Sequence, residues 1–510
     1  MTPVLTAPAA AKVRVDAALG RVSSYRLVLS VLAVLVLYTL VLNVLGWLRF
    51  GIPAMLASLV MCLAVSYGAN RGVSAIFRVR PHSESALVTG LLVYFLFWPS
   101  LAPLDLAVTA LACVLAAVSK YVLAFRARHV FNPAAFGAFA VALTGWGAAT
   151  WWAGTPAMLW AVVPGALLVL YRVQRLAMAG VFAAVGLALT AAVFATVGSL
   201  PVGAIVQAIA QGPLVFFAGF MLSEPLTMPG RRRYQYAYSA FIAAAYALPF
   251  SLGPVSGSPE TALLIGNLLA FAFGLSQGLD LRFVERRRLT PTSHEFVFVP
   301  TRAARFLPGQ YAELSLPHAG GAWAGRRRTF SFTSAPSSDV VAFGVSTAPP
   351  VSPAKQVLLD LEPGRRVWAA AVGGDFVLPR DLDVPVLLVA GGIGLTPFAS
   401  MLRALKTSGE ARDVVVLVSV STREELAFAG VLRASRARVV VRTSDGGAVP
   451  DFAEDAGAAP FTPQRLRELV PDIGERTAYV SGPPSFVGGV GPALRAAGAR
   501  HVRRDAFSGY

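Results

Sequence analysis

Three glycines fall within four positions, Gly391, Gly392 and Gly394, and Thr396 and Pro397 follow in the run Val389-Ala-Gly-Gly-Ile-Gly-Leu-Thr-Pro397. Glycines let the backbone approach a ligand closely, and a helix N-terminus favours phosphate. The apolar run VPVLLVAGG (384–392) precedes the turn and a helical stretch follows. That strand–turn–helix context is the one in which a dinucleotide binds. A second turn, Val480-Ser-Gly-Pro-Pro-Ser-Phe486, places Ser481, Gly482 and Pro483 at the end of another apolar run. A third concentration of polar groups is Arg328-Thr-Phe-Ser331, where a guanidinium of the right shape for phosphate oxygens stands beside hydroxyls.

These groups need a scaffold, and the surrounding pattern supplies one. HEFVFVP (294–300) and YAELSLP (311–317) alternate apolar and polar residues, as half-buried strands do. DVVVLVSVS (413–421), RVVVRTS (438–444) and TAYVSGPP (477–484) are continuous apolar runs of buried strands. A small antiparallel β-barrel over 281–382 is therefore expected to precede an α/β domain with a parallel sheet over 383–510.

Residues 285–510 resemble the ferredoxin–NADP reductase superfamily, with four motifs in that family's order: FLPGQYAEL (306–314), RTFSFTS (328–334), VAGGIGLTP (389–397) and VSGPPSF (480–486). The resemblance implies an FAD and NAD(P)H enzyme. It places Gln310 and Tyr311 on a strand beside the flavin. It gives Arg328 to the FAD pyrophosphate, with Thr329 beside it, and Ser331 to flavin N5. Phe330 stands where Tyr is usual, keeping the ring and losing the hydroxyl. Ser346, in FGVST (343–347), and Ser352 fall in the segment that contacts the FAD adenine and pyrophosphate. Thr396 falls near the nicotinamide, and Ser481 replaces the usual Cys on the hydride path. Asp505 sits where an acidic residue is common. Tyr510 either covers the nicotinamide-facing side of the flavin or is a frayed terminus. Ser421 and Arg423 are placed to meet the adenosine ribose or a 2′-phosphate, which leaves NADH and NADPH both open.

The rest of the chain is different in kind. Of 510 residues, 55% are hydrophobic and 14% charged, with mean hydropathy +0.62, against roughly 25% charged in a soluble domain. The deficit lies before Asp280. Apolar runs near 26–48, 52–70, 85–99, 104–123, 132–152, 156–171, 177–198, 203–222, 236–252 and 261–279 predict about ten transmembrane helices over 26–280, after an N-terminal tail at 1–25. Basic residues alternate by loop: Arg71, Lys120, Arg172 and Arg231–Arg233 mark one side, and Arg49 alone marks the other. This predicts a multi-pass protein of the cytoplasmic membrane, in contact with lipid, with both termini cytoplasmic. Trp47, Trp98, Trp146 and Trp160 fall towards the outer interface. The net charge of +17 follows the positive-inside loops, and no basic–aromatic pattern suggests nucleic acid. Two cysteines, Cys62 and Cys113, exclude a disulfide framework, a zinc site or a self-ligated iron–sulfur cluster.

SALVTGLL (85–92), RHVFNPAAFG (128–137) and MLSEPLTMP (221–229) resemble the membrane flavin subunits of the Nqr and Rnf respiratory complexes, the NqrB/RnfD family. All three fall at cytoplasmic helix ends, where prolines interrupt the helix and imply a buried or cavity-lining backbone. Thr89, Asn132, Glu224 and Thr227 would then hold a noncovalent FMN or riboflavin. Glu84 and Glu224 read as the carboxylates near membrane depth, Glu84 equally as a partner for a neighbouring Arg. The chain lacks the SGAT-type motif that carries covalent FMN in that family, so no covalent flavin is expected on it. The resulting expectation is electron flow from cytoplasmic NAD(P)H through FAD to the membrane flavin. It then continues to a quinone or to an outer-face flavinylated acceptor protein. The alternatives are a redox-linked ion transporter and a heme-type ferric reductase. The second is disfavoured because His82 and His129 are the only histidines of the membrane half and both sit at loops.

Overall fold

The computed structural model describes residues 24–77, 83–125, 128–196, 198, 201–210, 212–273, 278–316 and 327–507. The chain divides between Gln277 and Gly278 into two units.

The first unit is helical: α1 (Ser24–Val44), α2 (Ile52–Ile76), α3 (Ser83–Leu96), α4 (Pro103–Val122), α5 (Pro133–Thr144), α6 (Pro156–Arg172), α7 (Leu176–Thr196), α8 (Pro201–Ala210), α9 (Leu214–Phe216), α10 (Arg232–Ala247) and α11 (Pro259–Ala272). Proline begins five of these helices at the position where its missing N–H costs nothing. Among the described residues, α1, α2, α4 and α7 are long and apolar enough to cross a membrane; α3, α5, α6 and α11 are shorter apolar helices. The count of about ten spans is thus met only in part. The expected span at 203–222 is two pieces, α8 and α9, parted near Gly212–Pro213. The span at 132–152 stops at Thr144, where Gly145 adopts a left-handed cap, φ 73°. α9 runs directly into a π-helical turn, Phe217–Met221, closed by Leu222 N–H donating to the Phe217 carbonyl at 2.9 Å.

The second unit holds two six-stranded sheets. The first contains β1 (Leu279–Thr290), β2 (Ser293–Pro300), β3 (Tyr311–Ser315), β4 (Arg327–Ser331), β5 (Val341–Ser346) and β6 (Arg366–Gly373). Their order is β4-β3-β6-β1-β2-β5, antiparallel throughout. The expected barrel is not closed. Its end strands, β4 and β5, are joined outside the ladder by a single bridge, Phe332–Phe343. The reason is local: past Ser331 the chain leaves β4, and Thr333 N–H bonds the Ala342 carbonyl while Ser334 Oγ accepts from Ala342 N–H. Inside, Phe306 stacks on Phe332 at 3.9 Å and 16°, a geometry contributing about 0.5–1.5 kcal/mol beyond area.

A short helix, α12 (Pro353–Leu359), separates β5 from β6. The second sheet contains β7 (Val386–Gly391), β8 (Val414–Val420), β9 (Arg438–Thr443), β10 (Glu454–Asp455), β11 (Thr477–Gly482) and β12 (His501–Ala506). It is wholly parallel, in the order β10-β9-β8-β7-β11-β12. Helices α13 (Thr396–Ser408), α14 (Ala429–Ala434), α15 (Pro463–Leu469) and α16 (Pro484–Ala497) connect its strands. Every residue of β7 and β11 is buried, because helices cover both faces of such a sheet. The order reverses between β7 and β11. In open parallel sheets that switch point, at the carboxyl ends of the strands, is where a ligand crevice forms.

Candidate functional site

The two glycine turns predicted to bind nucleotide meet at this switch point. Ala390 of β7 pairs with Ser481 of β11, and Ser481 pairs on its other side with Asp505 of β12. Gly391 lies under the Phe486 ring, where a Cβ would come within 2.7 Å. Gly394 backs onto Ser481, where a Cβ would stand 2.3 Å from the carbonyl oxygen. Gly392 differs: at φ +53° its missing Cβ faces open space, with nothing within 4 Å. The glycines thus close the turn onto β11 on one side and leave backbone uncovered on the other. Thr396 and Pro397 begin α13, with the Thr396 hydroxyl donating back to the Ile393 carbonyl. Pro483 caps α16.

Ser481 is fully buried, and its Oγ makes no hydrogen bond. A polar atom in that state is open to a bound water or ligand group. Beside it on the sheet, desolvation pushes the Asp505 carboxyl up to about 6.

The other half of the predicted site lies on the antiparallel sheet. Tyr311 pairs with Ser331, and Arg328 with Leu314. Strand alternation puts Arg328 and Phe330 on one face of β4, Thr329 and Ser331 on the other. Ser331 is buried, and the half-buried Phe330 ring borders Phe343 at 6.4 Å. The Gln310 side chain is engaged within the protein. Its Oε1 accepts from Leu307 N–H at 2.7 Å and its Nε2 donates to the Gly374 carbonyl at 3.0 Å. The side-chain amide therefore braces the turn that launches β3. Ser346 ends β5, and Ser352 caps α12 with a buried Oγ that makes no hydrogen bond. Ser421 and Arg423 are exposed past the carboxyl end of β8, where the Ser421 carbonyl accepts from Asp445 N–H at 3.2 Å. Tyr510 lies outside the described residues.

The two sheets are joined by groups the sequence reading missed. Arg403 Nη1 donates to Glu295 Oε1 at 2.7 Å and to the Thr333 carbonyl at 2.9 Å, and the Ser400 hydroxyl donates to the Ser334 carbonyl at 2.7 Å. A buried glutamate inside the apolar run HEFVFVP was the available signal.

The helical unit brings three of its four predicted residues together. Glu224, just past the π turn, takes His129 Nε2 on one oxygen and Asn132 Nδ2 on the other, each at 2.8 Å. Thr227 joins through its hydroxyl, 3.5 Å from the Glu224 carbonyl. Asn267, also missed, ties the group to α11: its Oδ1 accepts from Asn132 N–H at 2.8 Å and its Nδ2 donates to the Tyr238 hydroxyl at 2.7 Å. Thr89 stands apart, its hydroxyl taken up by the Ser85 carbonyl within α3. Glu84 pairs with Arg26. The restriction of deep carboxylates to Glu84 and Glu224 needs correcting. Glu260 is buried at 5% exposure and accepts from Trp151 Nε1 at 3.0 Å. It was overlooked because it precedes the apolar run of α11. Among the described residues of this unit His129 is the one histidine, and no cluster of three metal-ligating side chains occurs.

An antiparallel flavin-type sheet followed by a parallel nucleotide-type sheet, with phosphate-ready glycines at its switch point, defines a two-domain reductase. Open backbone at Gly392 and orphaned hydroxyls at Ser352 and Ser481 suit a dinucleotide and a flavin. The chain is 30% identical over 274 residues to the NADPH oxidoreductase of Mycobacterium tuberculosis, covering 51% of this chain and 68% of that one. It is 28% identical to the ferredoxin reductase component of 3-ketosteroid-9-alpha-monooxygenase from Mycolicibacterium smegmatis, covering 46% and 66%. It is 29% identical to a ferredoxin–NADP reductase of Sorangium cellulosum, covering 40% and 85%. Among solved structures, the Amycolatopsis cytochrome P450 reductase GcoB matches at 25% identity and TM-score 0.39, over 46% of this chain and 70% of that one. No family model matches the chain. The chain belongs to the NAD(P)H-dependent flavin oxidoreductases with a ferredoxin–NADP reductase-like module. FAD and NAD(P)H are the cofactor and substrate that this membership carries.

Proposed function

We propose that the chain is a membrane-bound oxidoreductase of the cytoplasmic membrane. In this reading it carries electrons from cytoplasmic NAD(P)H, through FAD, to a noncovalent FMN or riboflavin in the helical unit. A quinone or an outer-face flavinylated protein then takes them on. FAD, when bound, turns two-electron input from the nicotinamide into single-electron output. The protein's part is positional. The Gly391–Gly394 turn and the N-terminus of α13 seat the nucleotide phosphates. Arg328 faces the flavin pyrophosphate, Ser331 and Ser481 offer hydroxyls at the reacting edge, and Asp505 exchanges a proton near pH 6.

The observation that carries the membrane step is the Glu224–His129–Asn132–Asn267 cluster, set among apolar helices. An ionisable group in such surroundings is a functional feature by default. The topology belongs to the same proposal: about ten spans, with both termini cytoplasmic. Acid extraction of the purified protein tests the reading. It predicts one FAD and one further flavin per chain, flavin absorption bleached by NADH or NADPH, and no Soret band. One FAD alone removes the membrane step, and a Soret band or no bleaching overturns the reading.

A second reading, a redox-linked ion transporter, draws support from α2. That helix buries Ser58, Cys62, Ser66, Asn70 and Ser74, spaced by four. Ser66 Oγ and Asn70 Nδ2 make no hydrogen bond. A pH- or sodium-sensitive dye inside proteoliposomes during NAD(P)H oxidation separates the two readings.

A further inference from the structure

A buried polar network crosses the contact between the flavin-type and nucleotide-type sheets. Glu295, on β2, has a side chain only 3% exposed, an unusual place for a carboxylate on a strand otherwise built of Phe and Val. It accepts from Arg403 of α13 and from the Thr333 hydroxyl. Arg403 also holds the Thr333 carbonyl, so Thr333 is gripped at side chain and backbone together. The next residue, Ser334, is held by Ser400. Thr333 lies two residues after Ser331. Ser400 and Arg403 lie four and seven residues after Thr396, on the same helix face. A Cβ at Gly344 of β5 would come within 3.2 Å of the Thr396 hydroxyl, so the two sheets meet there without slack.

The geometry points to Glu295 and Arg403 as a positioning pair, which we propose fixes the separation between Ser331 and Thr396 and so between the two reacting rings. This rests on the flavin oxidoreductase reading of the unit. A buried ion pair is weak evidence of stability, since desolvation offsets much of its attraction. Its specific product is geometry: a charged fork satisfied by one carboxylate and one carbonyl admits a single placement of α13 against the Ser331 segment. A misplacement of ~1 Å can slow a reaction about 10²-fold without changing how tightly substrate binds.

The test compares Glu295→Gln, Arg403→Lys and Thr292→Ala in the full-length holoprotein. Thr292 crosses the same boundary, donating to the Glu425 carboxylate at 2.8 Å, but at a part-buried edge. Expected for Glu295→Gln is a tenfold or greater fall in the rate of flavin reduction by NAD(P)H, with KM within about twofold. The primary deuterium isotope effect should rise. The long-wavelength absorbance of the oxidised flavin–reduced nucleotide complex, read before turnover, should weaken. Arg403→Lys, which keeps the charge and loses the fork, should show both changes in smaller degree, and Thr292→Ala should leave both unchanged. If Glu295→Gln loses flavin or fails to fold, Arg403→Lys carries the test alone through the same absorbance and isotope effect. Unchanged isotope effect and absorbance in the variants overturn the inference, as does an equal loss in Thr292→Ala. Absence of flavin reduction in the unaltered protein strikes instead at the oxidoreductase reading.

Discussion

Replacing Gly394 by Ala tests the nucleotide cradle most directly. The new methyl would stand 2.3 Å from the Ser481 carbonyl oxygen, 2.6 Å from its carbon and 2.7 Å from the Gly482 Cα. Ordinary contact lies at ~3.5–4 Å, so turn and strand must part by about 1 Å. All three atoms are backbone, pinned by the ladders from β7 to β11 and from β11 to β12, and no rotamer change relieves them. Overpacking of this kind costs about 1–3 kcal/mol, which in a unit of this size lowers Tm by roughly 2–4 °C per kcal/mol. The displacement also separates the Ser481 hydroxyl from the nucleotide turn, so kcat/KM for NAD(P)H should fall about 10²-fold. Gly392→Ala is the comparison. Its methyl enters the open space left to the nucleotide at φ +53°, so within the protein it carries left-handed strain of about 1–2 kcal/mol and leaves the strand pairing intact, and any loss of activity comes through a raised KM. Thermal unfolding and steady-state kinetics of both variants decide the matter. The reasoning fails if Gly394→Ala melts with the unaltered protein and keeps its kcat/KM.

Ser481→Ala removes a buried hydroxyl that makes no hydrogen bond in the protein; Tm should hold or rise while the rate of flavin reduction falls about tenfold, the worth of one ordinary hydrogen bond to the reacting groups. Asp505 has its folded pKa raised to about 6 from 3.8. The folded state therefore binds the extra proton, and stability falls as pH rises between those values. Asp505→Asn should narrow the Tm difference between pH 4.5 and 7.5; an unchanged difference refutes the shift. Glu224→Gln leaves His129 and Asn132 without a carboxylate. It should lower the second extractable flavin while FAD content stays constant, measured by acid extraction.

Much of the reductase unit was legible because its signals are local. Continuous apolar runs announced β7, β8, β9 and β11, and glycine spacing announced the turn they carry. Parallel strands need no long-range information to be recognised as buried. The partners of Gln310 were illegible for the opposite reason: its amide is taken by Leu307 and by Gly374, which is 64 residues away. Arg403 was invisible because its partners, Glu295 and Thr333, come from two segments 108 and 70 residues away. In the helical unit, hydropathy marked where apolar residues run but not where helices stop. Pro213 and Gly145 shorten segments that a window average joins. Asn267 was diluted by the leucines around it and Glu260 fell one residue before the apolar run, though α11 turns both inward.

The π turn at Phe217–Met221 carries one more consequence. It holds an additional residue relative to α-helical register, and each residue in a helix is worth ~100° of rotation and ~1.5 Å of rise. Which way Glu224 faces is therefore decided by counting. Exchanging the side chains of 217–221 for others of similar bulk leaves the carboxylate aimed at His129 and Asn132. Losing any one of the five swings it about a third of a turn away. Length is the property this segment must keep, together with the glycine at 219, where a Cβ would stand 2.5 Å from that of Ala166.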